Sequence, residues 1–255
     1  MSLGIDLNAD LGEGFGAWTM GADEGLLEHV TSANVACGFH AGDPSVIDRT
    51  VALAARAGVA IGAHPSHFDL RGFGRREIHS APAEVEADVL YQVGALLAFA
   101  SAHGASLRHV KPHGALYNQA VDDPVLSAAI ARGASRACRG IVFVGLAGSQ
   151  AMRRAAEACG LRYAAEAFVD RAYDAAGRLV SRSRPGAVVN DPQAAAATAV
   201  RLARDRVVRT IDGRELPVEA DTLCLHGDNP NALAVARAVR EALERAGVSV
   251  RPLAP

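Results

Sequence analysis

The sequence predicts an α/β chain of the closed (β/α)-barrel class with seven strands. Two observations lead there. Short apolar runs alternate with alanine-rich helical stretches along the 255 residues, and repeated strand–helix units imply a parallel sheet with right-handed crossovers. No linker rich in proline, glycine or serine interrupts that alternation, so residues 1–255 read as one domain. An open doubly wound sheet is the alternative architecture.

Taken in order, the expected strands are Leu3–Ala9, Ala33–Gly38, Val59–His64, Leu107–His113, Gly140–Leu146, Arg162–Val169 and Thr222–His226. The expected helices are Gly25–Val30, Pro44–Ala57, Ala83–His103, Asp123–Ala137, Ser149–Cys159, Asp191–Val208 and Asn231–Ala246. Asp43-Pro44 and Asp191-Pro192 each set a capping side chain before a first-turn proline, and Gly58 and Gly160 close two helices. Segment 171–190 breaks the alternation. Its Asp174–Gly177 turn and Pro185-Gly186 punctuation suggest a short hairpin or lid.

Reactive residues of a parallel β/α fold collect at the carboxyl ends of strands, and this sequence is polar there. Side chains alternate along a strand, so Asp6, Asn8 and Asp10 share one face of the first strand. Three polar groups on one face are costly unless they line a wet or functional cavity. The following loop carries Glu13 among glycines. The second strand leads from Asn34 to His40, the third ends at His64, and the seventh ends at His226 with Asp228 two residues on. On the fourth, His109, Lys111 and His113 share a face. Of 26 basic residues Lys111 is the only lysine, and it falls between two histidines at a predicted rim.

Arg75 and Arg76 follow the third strand beside Gly72 and Gly74, a pattern that suits a carboxylate or phosphate and also suits an exposed turn. Glu166, Asp170 and Arg171, at the end of the sixth strand, either orient a site residue or form a structural ion pair. Cys37 reads as a small packed residue opposite His40.

Composition excludes several function classes. A net charge of −2 argues against a general electrostatic grip on nucleic acid. Acidic groups at 6, 10 and 13 rule out a signal peptide over the first twenty residues, and no run approaches the roughly 18 apolar residues of a membrane span. Four scattered cysteines without a CxxC pair read as reduced thiols of a cytoplasmic protein. There is no GxxxxGK[ST] loop, kinase signature, GxSxG elbow or HExxH.

The segments Asp6–Gly14, Asn34–Pro44, Gly62–Ser66, Gly72–Arg76, His109–Asn118, Glu166–Arg171 and His226–Pro230 resemble, in order and over nearly the whole chain, the LamB/YcsF family. That family corresponds to the A subunit of bacterial 5-oxoprolinase. The resemblance implies a seven-stranded barrel like those of the glycoside hydrolase/deacetylase superfamily. It implies ATP-dependent hydrolysis of the 5-oxo-L-proline lactam to L-glutamate, with ADP and phosphate released, and action with two other subunits. Deacetylase-like relatives hold a divalent metal with an Asp-Asp pair after the first strand, where this chain has Asp10-Leu11. A divalent metal such as magnesium is therefore an open expectation, with His40, His64 and His113 as its available ligands. The open alternatives are a metal-dependent amidase or deacetylase without ATP, and a substrate-binding subunit whose partner does the chemistry.

The chemistry assigns expected roles. A five-membered lactam is a poor electrophile, which phosphorylation of its carbonyl oxygen corrects. Lys111 is expected to meet phosphate or oxyanion charge, and Asp10 to act as base with Glu13 in reserve. His40, His64 and His113 are expected around the reacting amide. Asp6, Asn8, Asn34, Arg75, Arg76, His226 and Asp228 are expected to bind substrate.

Overall fold

The computed structural model describes residues 3–227 and 231–253. Ten strands and eight α-helices are formed: β1 (Gly4–Leu11), α1 (Asp23–Leu27), β2 (Ser32–Ala36), α2 (Pro44–Ala57), β3 (Ala60–His64), α3 (Pro82–Ala102), β4 (Leu107–Val110), α4 (Gly114–Ala120), α5 (Pro124–Ala137), β5 (Val142–Leu146), α6 (Gln150–Ala158), β6 (Tyr163–Phe168), α7 (Pro192–Val200), β7 (Val207–Arg209), β8 (Glu215–Pro217), β9 (Thr222–His226), α8 (Ala232–Arg245) and β10 (Ser249–Val250). Strands β1, β2, β3, β4, β5, β6 and β9 pair in parallel in that order, and β9 returns to β1. The result is a closed seven-stranded barrel with helices around it. β10 adds a short parallel pair at the start of β1.

Strand alternation divides the barrel into two environments. Leu7, Ala9, Leu11, Val35, Ile61, Val110, Phe143 and Leu223 belong to one large buried apolar cluster with the helices. The opposite faces of β1, β2, β4, β6 and β9 carry Asp6, Asn8, Asp10, Asn34, His109, Glu166 and Thr222, which bond to one another across the interior. Val142, Val144 and Ala164 form a small separate cluster with Leu253 against it.

The helix boundaries follow their capping chemistry. Asp43 accepts hydrogen bonds from the amides of Ser45 and Val46 ahead of Pro44, and Asp123 and Asp191 do the same for α5 and α7. Gly58 stops α2 at φ 68°.

Four expectations are corrected. The helix expected over 191–208 ends at Val200. A π-helical turn spans Arg201–Asp205, Arg206 turns left-handed, and Val207–Arg209 pairs antiparallel with Glu215–Pro217. Regular strand β4 stops at Val110, although the amides of Lys111 and His113 still bond to the carbonyls of Ala63 and Pro65. Helix α4 stands where the sequence shows no helix signal. Finally, α3 has the length and composition of a membrane span; its Val85, Val89, Val93 and Leu96 are buried in the core that α5 shares. Segment 171–190 forms antiparallel bridges Arg171–Val188 and Tyr173–Leu179, and the Tyr173 hydroxyl accepts a hydrogen bond from the Phe168 amide at 2.6 Å.

Gly62 shows how tightly the interior is filled. The His109 ring lies over it, so a Cβ at this position would overlap the imidazole. His109 is held there by a 2.7 Å bond from Nε2 to Asn34 Oδ1. Gly62→Ala is therefore expected to destabilise the chain by about 1–3 kcal/mol, the usual cost of overpacking. Thermal unfolding checks this, and an unchanged midpoint would contradict it.

Candidate active site

The carboxyl end of the barrel holds a cavity of about 390 Å³. Its floor is a buried charge cluster. Lys111 Nζ lies 3.0 Å from Asp10 Oδ1, 2.9 Å from Glu166 Oε1, 3.3 Å from Asn8 Oδ1 and 3.0 Å from Cys224 Sγ. Burial alone would drive the ammonium toward neutrality. Asp10, Cys224 and Glu166 outweigh it and hold the Lys111 pKa well above its ordinary value. Burial likewise opposes the Asp10 charge, but His64 and Lys111 keep its carboxyl well below the usual carboxylate range. The Cys224 thiol is pushed well up by burial and is no nucleophile at neutral pH.

Below that floor lies a layer of polar side chains bonded to one another. Asn34 Nδ2 donates to Asn8 Oδ1 and Asp10 Oδ1 at 2.7 and 2.8 Å. Asp6 accepts from Thr31, Ser32 and Thr222, and burial raises its pKa. Asp6, Asn8 and Asn34 thus sit behind the cavity, where they orient Asp10 and Lys111; none of them lines it.

To one side lie the histidines. His64 Nδ1 donates to the Lys111 carbonyl at 2.8 Å, and its Nε2 lies 3.3 Å from Asp10 Oδ2. His113 Nε2 donates to the Phe73 carbonyl at 2.9 Å, and its Nδ1 lies 2.9 Å from His64 Nε2. His40 stacks on His113 with centroids 3.8 Å apart. Glu13 Oε1 is 3.4 Å from His40 Nε2 and 3.7 Å from His113 Nδ1. The loops supply this convergence: Gly74, at φ 64°, packs against Ser66, His40 and His113, and a Cβ there would strike the Ser66 hydroxyl, the His113 ring and the His40 Cβ.

Arg75, Arg171, Arg182, Tyr117 and His226 form the cavity wall. Burial lowers Arg171 to about 10, with Arg182 adding to the shift. His226 is fixed by Asp170, which accepts from its Nδ1 and from its backbone amide at 2.9 Å. Arg76 points elsewhere: it is largely exposed and its guanidinium pairs with Asp69. Asp228 lies outside the described residues.

Sequence reasoning left Glu166 undecided and did not single out Cys224 or Arg182. The alternation that groups Thr222, Cys224 and His226 places Cys224 inside the barrel. Arg182 sits in irregular chain, where no periodicity marks it.

Two groups of side chains have donor atoms close enough to hold a metal ion: Glu13, His40, His64 and His113, and Asp10, Cys224 and His226. The second set fits poorly, because the Lys111 ammonium already occupies Asp10 and Cys224 and would repel a cation. In the first set the Lys111 ammonium contacts none of the four side chains by a hydrogen bond or ion pair.

Comparison with known proteins gives a consistent result. A sequence model of the LamB/YcsF family matches residues 5–255. The 5-oxoprolinase A subunit of Streptomyces griseus is 54% identical over 250 residues, spanning 98% of this chain and 100% of the relative. That of Bordetella pertussis is 52% identical over 251 residues, spanning 98% and 99%. The crystal structure of the lactam utilization protein from Thermus thermophilus is 51% identical, with a TM-score of 0.92 over 98% of this chain and all of that one. A T48 deacetylase, 14% identical with a TM-score of 0.50 over 98% of this chain and 87% of that one, shares the fold.

The charge cluster makes a direct prediction. Lys111→Met strands two buried carboxylates and is expected to cost about 3–5 kcal/mol in urea unfolding, the penalty for breaking a buried pair from one side. Adding Glu166→Gln is expected to return part of that loss. A single variant as stable as the parent would contradict the assignment.

Proposed function

The chain belongs to the LamB/YcsF family, and on that footing we propose that it is the A subunit of a 5-oxoprolinase, hydrolysing the 5-oxo-L-proline lactam to L-glutamate with ATP consumed. The observation that carries this reading is the buried side chain of Lys111, paired with Asp10 and Glu166, at the floor of a small cavity whose wall bears Arg75, Arg171 and Arg182. The volume lies at the small end of the range for ligand sites and suits a five-membered ring bearing a phosphoryl group.

In this reading ATP transfers its γ-phosphoryl group to the lactam oxygen and ADP leaves; one water adds to the ring carbon, the C–N bond opens as the nitrogen takes a proton, and a second water hydrolyses the resulting acyl phosphate to carboxylate and phosphate. Lys111 meets the negative charge that develops on the carbonyl and phosphoryl oxygens, in a site where dielectric screening is weak. The arginines take the substrate carboxylate and the phosphoryl oxygens, since planar guanidinium forks match both. Asp10, kept ionised, orients the attacking water and accepts its proton. Glu13, His40, His64 and His113 would supply the donors for a divalent metal. When bound, such an ion would polarise the reacting carbonyl. The expected partners are the two other 5-oxoprolinase subunits, in the cytoplasm.

The convergence of Glu13 with three histidines also favours a second reading, a metal-dependent amidase that needs no nucleotide. Phosphate release separates the two. With the partner subunits present, release from ATP is expected to require 5-oxo-L-proline and to fall by two orders of magnitude or more, about 3 kcal/mol, in Lys111→Arg, which keeps the charge but not the compact shape. Release independent of 5-oxo-L-proline in every combination of subunits would reject the ATP-dependent reading. Full activity of Lys111→Arg would reject the lysine role.

A further inference from the structure

The histidine cluster contains a mismatch of protons. A carbonyl oxygen only accepts, so His64 must carry its proton on Nδ1, facing Lys111 O, and His113 must carry its proton on Nε2, facing Phe73 O. The remaining nitrogens, His64 Nε2 and His113 Nδ1, face each other at 2.9 Å. In two neutral rings these are two lone pairs pointed at one another. Close to them stand Asp10 Oδ2, 3.3 Å from His64 Nε2, Glu13 Oε1, 3.7 Å from His113 Nδ1, and a buried His40 with neither ring nitrogen hydrogen-bonded. Such a concentration of buried acceptors is unfavourable unless something positive lies among them.

A proton shared between the two facing nitrogens would serve that one contact and Asp10 beside it, but would leave both ring nitrogens of His40 without a partner. A dication satisfies more of the donors at once. We propose that Glu13, His64 and His113, joined by His40, form a divalent transition-metal site of the zinc class. Metal–nitrogen bonds of about 2.0–2.1 Å put neighbouring donors of a tetrahedral or octahedral shell about 2.9–3.4 Å apart. The contacts here are 2.9, 3.4 and 3.7 Å. Three imidazoles and one carboxylate suit zinc, cobalt or nickel; magnesium, the example the sequence left open, prefers oxygen. The two carbonyls that receive His64 Nδ1 and His113 Nε2 fix each ring's tautomer, as outer partners of metal-bound histidines do. His40 is the adaptable member. Stacked flat on His113, it must turn to aim a lone pair at the same ion, and its lack of hydrogen bonds leaves it able to do so.

Metal content and melting temperature test this without turnover, so the result is independent of the lactam reading. The full chain, purified without chelators, is expected to retain about one equivalent of a transition metal. After chelation, added zinc or cobalt is expected to raise the melting temperature, cobalt with a visible absorption band of nitrogen–oxygen coordination, and magnesium to do neither. His64→Gln and His113→Asn are expected to lose at least about 10- to 100-fold in affinity, the loss caused by removing even an outer partner of a metal ligand. His40→Gln is expected to lose less. His79→Gln, exposed and outside the cluster, is expected to bind as the parent does. If a ligand variant fails to fold, the cobalt spectrum of the unaltered chain decides. Trace metal only, with no response to zinc, cobalt or nickel, would overturn the site, as would unchanged binding in a folded His64→Gln, His113→Asn chain.

Discussion

The ammonium of Lys111 is the constraint on which the inside of the barrel depends. Asp10 on β1 and Glu166 on β6, the two strands that flank β9, approach it at 3.0 and 2.9 Å. Taking either carboxylate out of water without a partner costs several kcal/mol. With the cation present, the neighbours fall into a forced order. Asn34 and Asn8 turn their amides to support Asp10, His109 turns its ring over Gly62 to reach Asn34, and Asp6 collects three hydroxyls beneath. Each group is the partner of the next, so the geometry at the cavity floor is decided well below it.

The same strands do opposite work on their two faces. The outer face carries Leu7, Val35, Ile61 and Leu223 into the helical layer and supplies the apolar burial that stabilises the fold. The inner face gives up apolar burial for a polar network that is nearly saturated with hydrogen bonds. Among the described residues, its least satisfied corner lies where the loops meet, at His40, His64 and His113. His109 Nδ1 and Glu166 Oε2 within the network also lack a hydrogen-bond partner; what sets this corner apart is that both ring nitrogens of His40 are unpaired beside two facing histidine nitrogens.

What could be read from sequence and what could not follows from the reach of each signal. The two-residue period of strands is local, so the shared face of Asp6, Asn8 and Asp10, and that of His109, Lys111 and His113, follow from spacing alone. The cavity wall depends on longer-range geometry. Arg75 and Arg76 are neighbours in one turn, yet Asp69 holds the second outward, and nothing in their spacing separates them. Arg182 reaches the cavity from an irregular segment whose course depends on Tyr173 being buried. The end of α7 is obscured for a different reason. Val207 and Val208 continue an apolar helical pattern, while the π turn and the left-handed Arg206 redirect the chain into a hairpin. The short α4 begins at a glycine with φ 57° and has no side-chain cap, so neither usual start signal is present.

Because the chain has a single lysine, its charge state can be observed alone. Isotope-labelled lysine gives one side-chain Nζ resonance, from Lys111, whose proton exchange with water burial slows. The account predicts an ammonium signal visible at neutral pH that titrates only above the ordinary 10.5. The stability its ion pairs contribute is then fully present below that pH and lost as pH rises through the elevated folded value. A Lys111 side chain that is neutral at pH 7, or that loses its proton at or below 10.5, would contradict the charge arrangement from which the site is built.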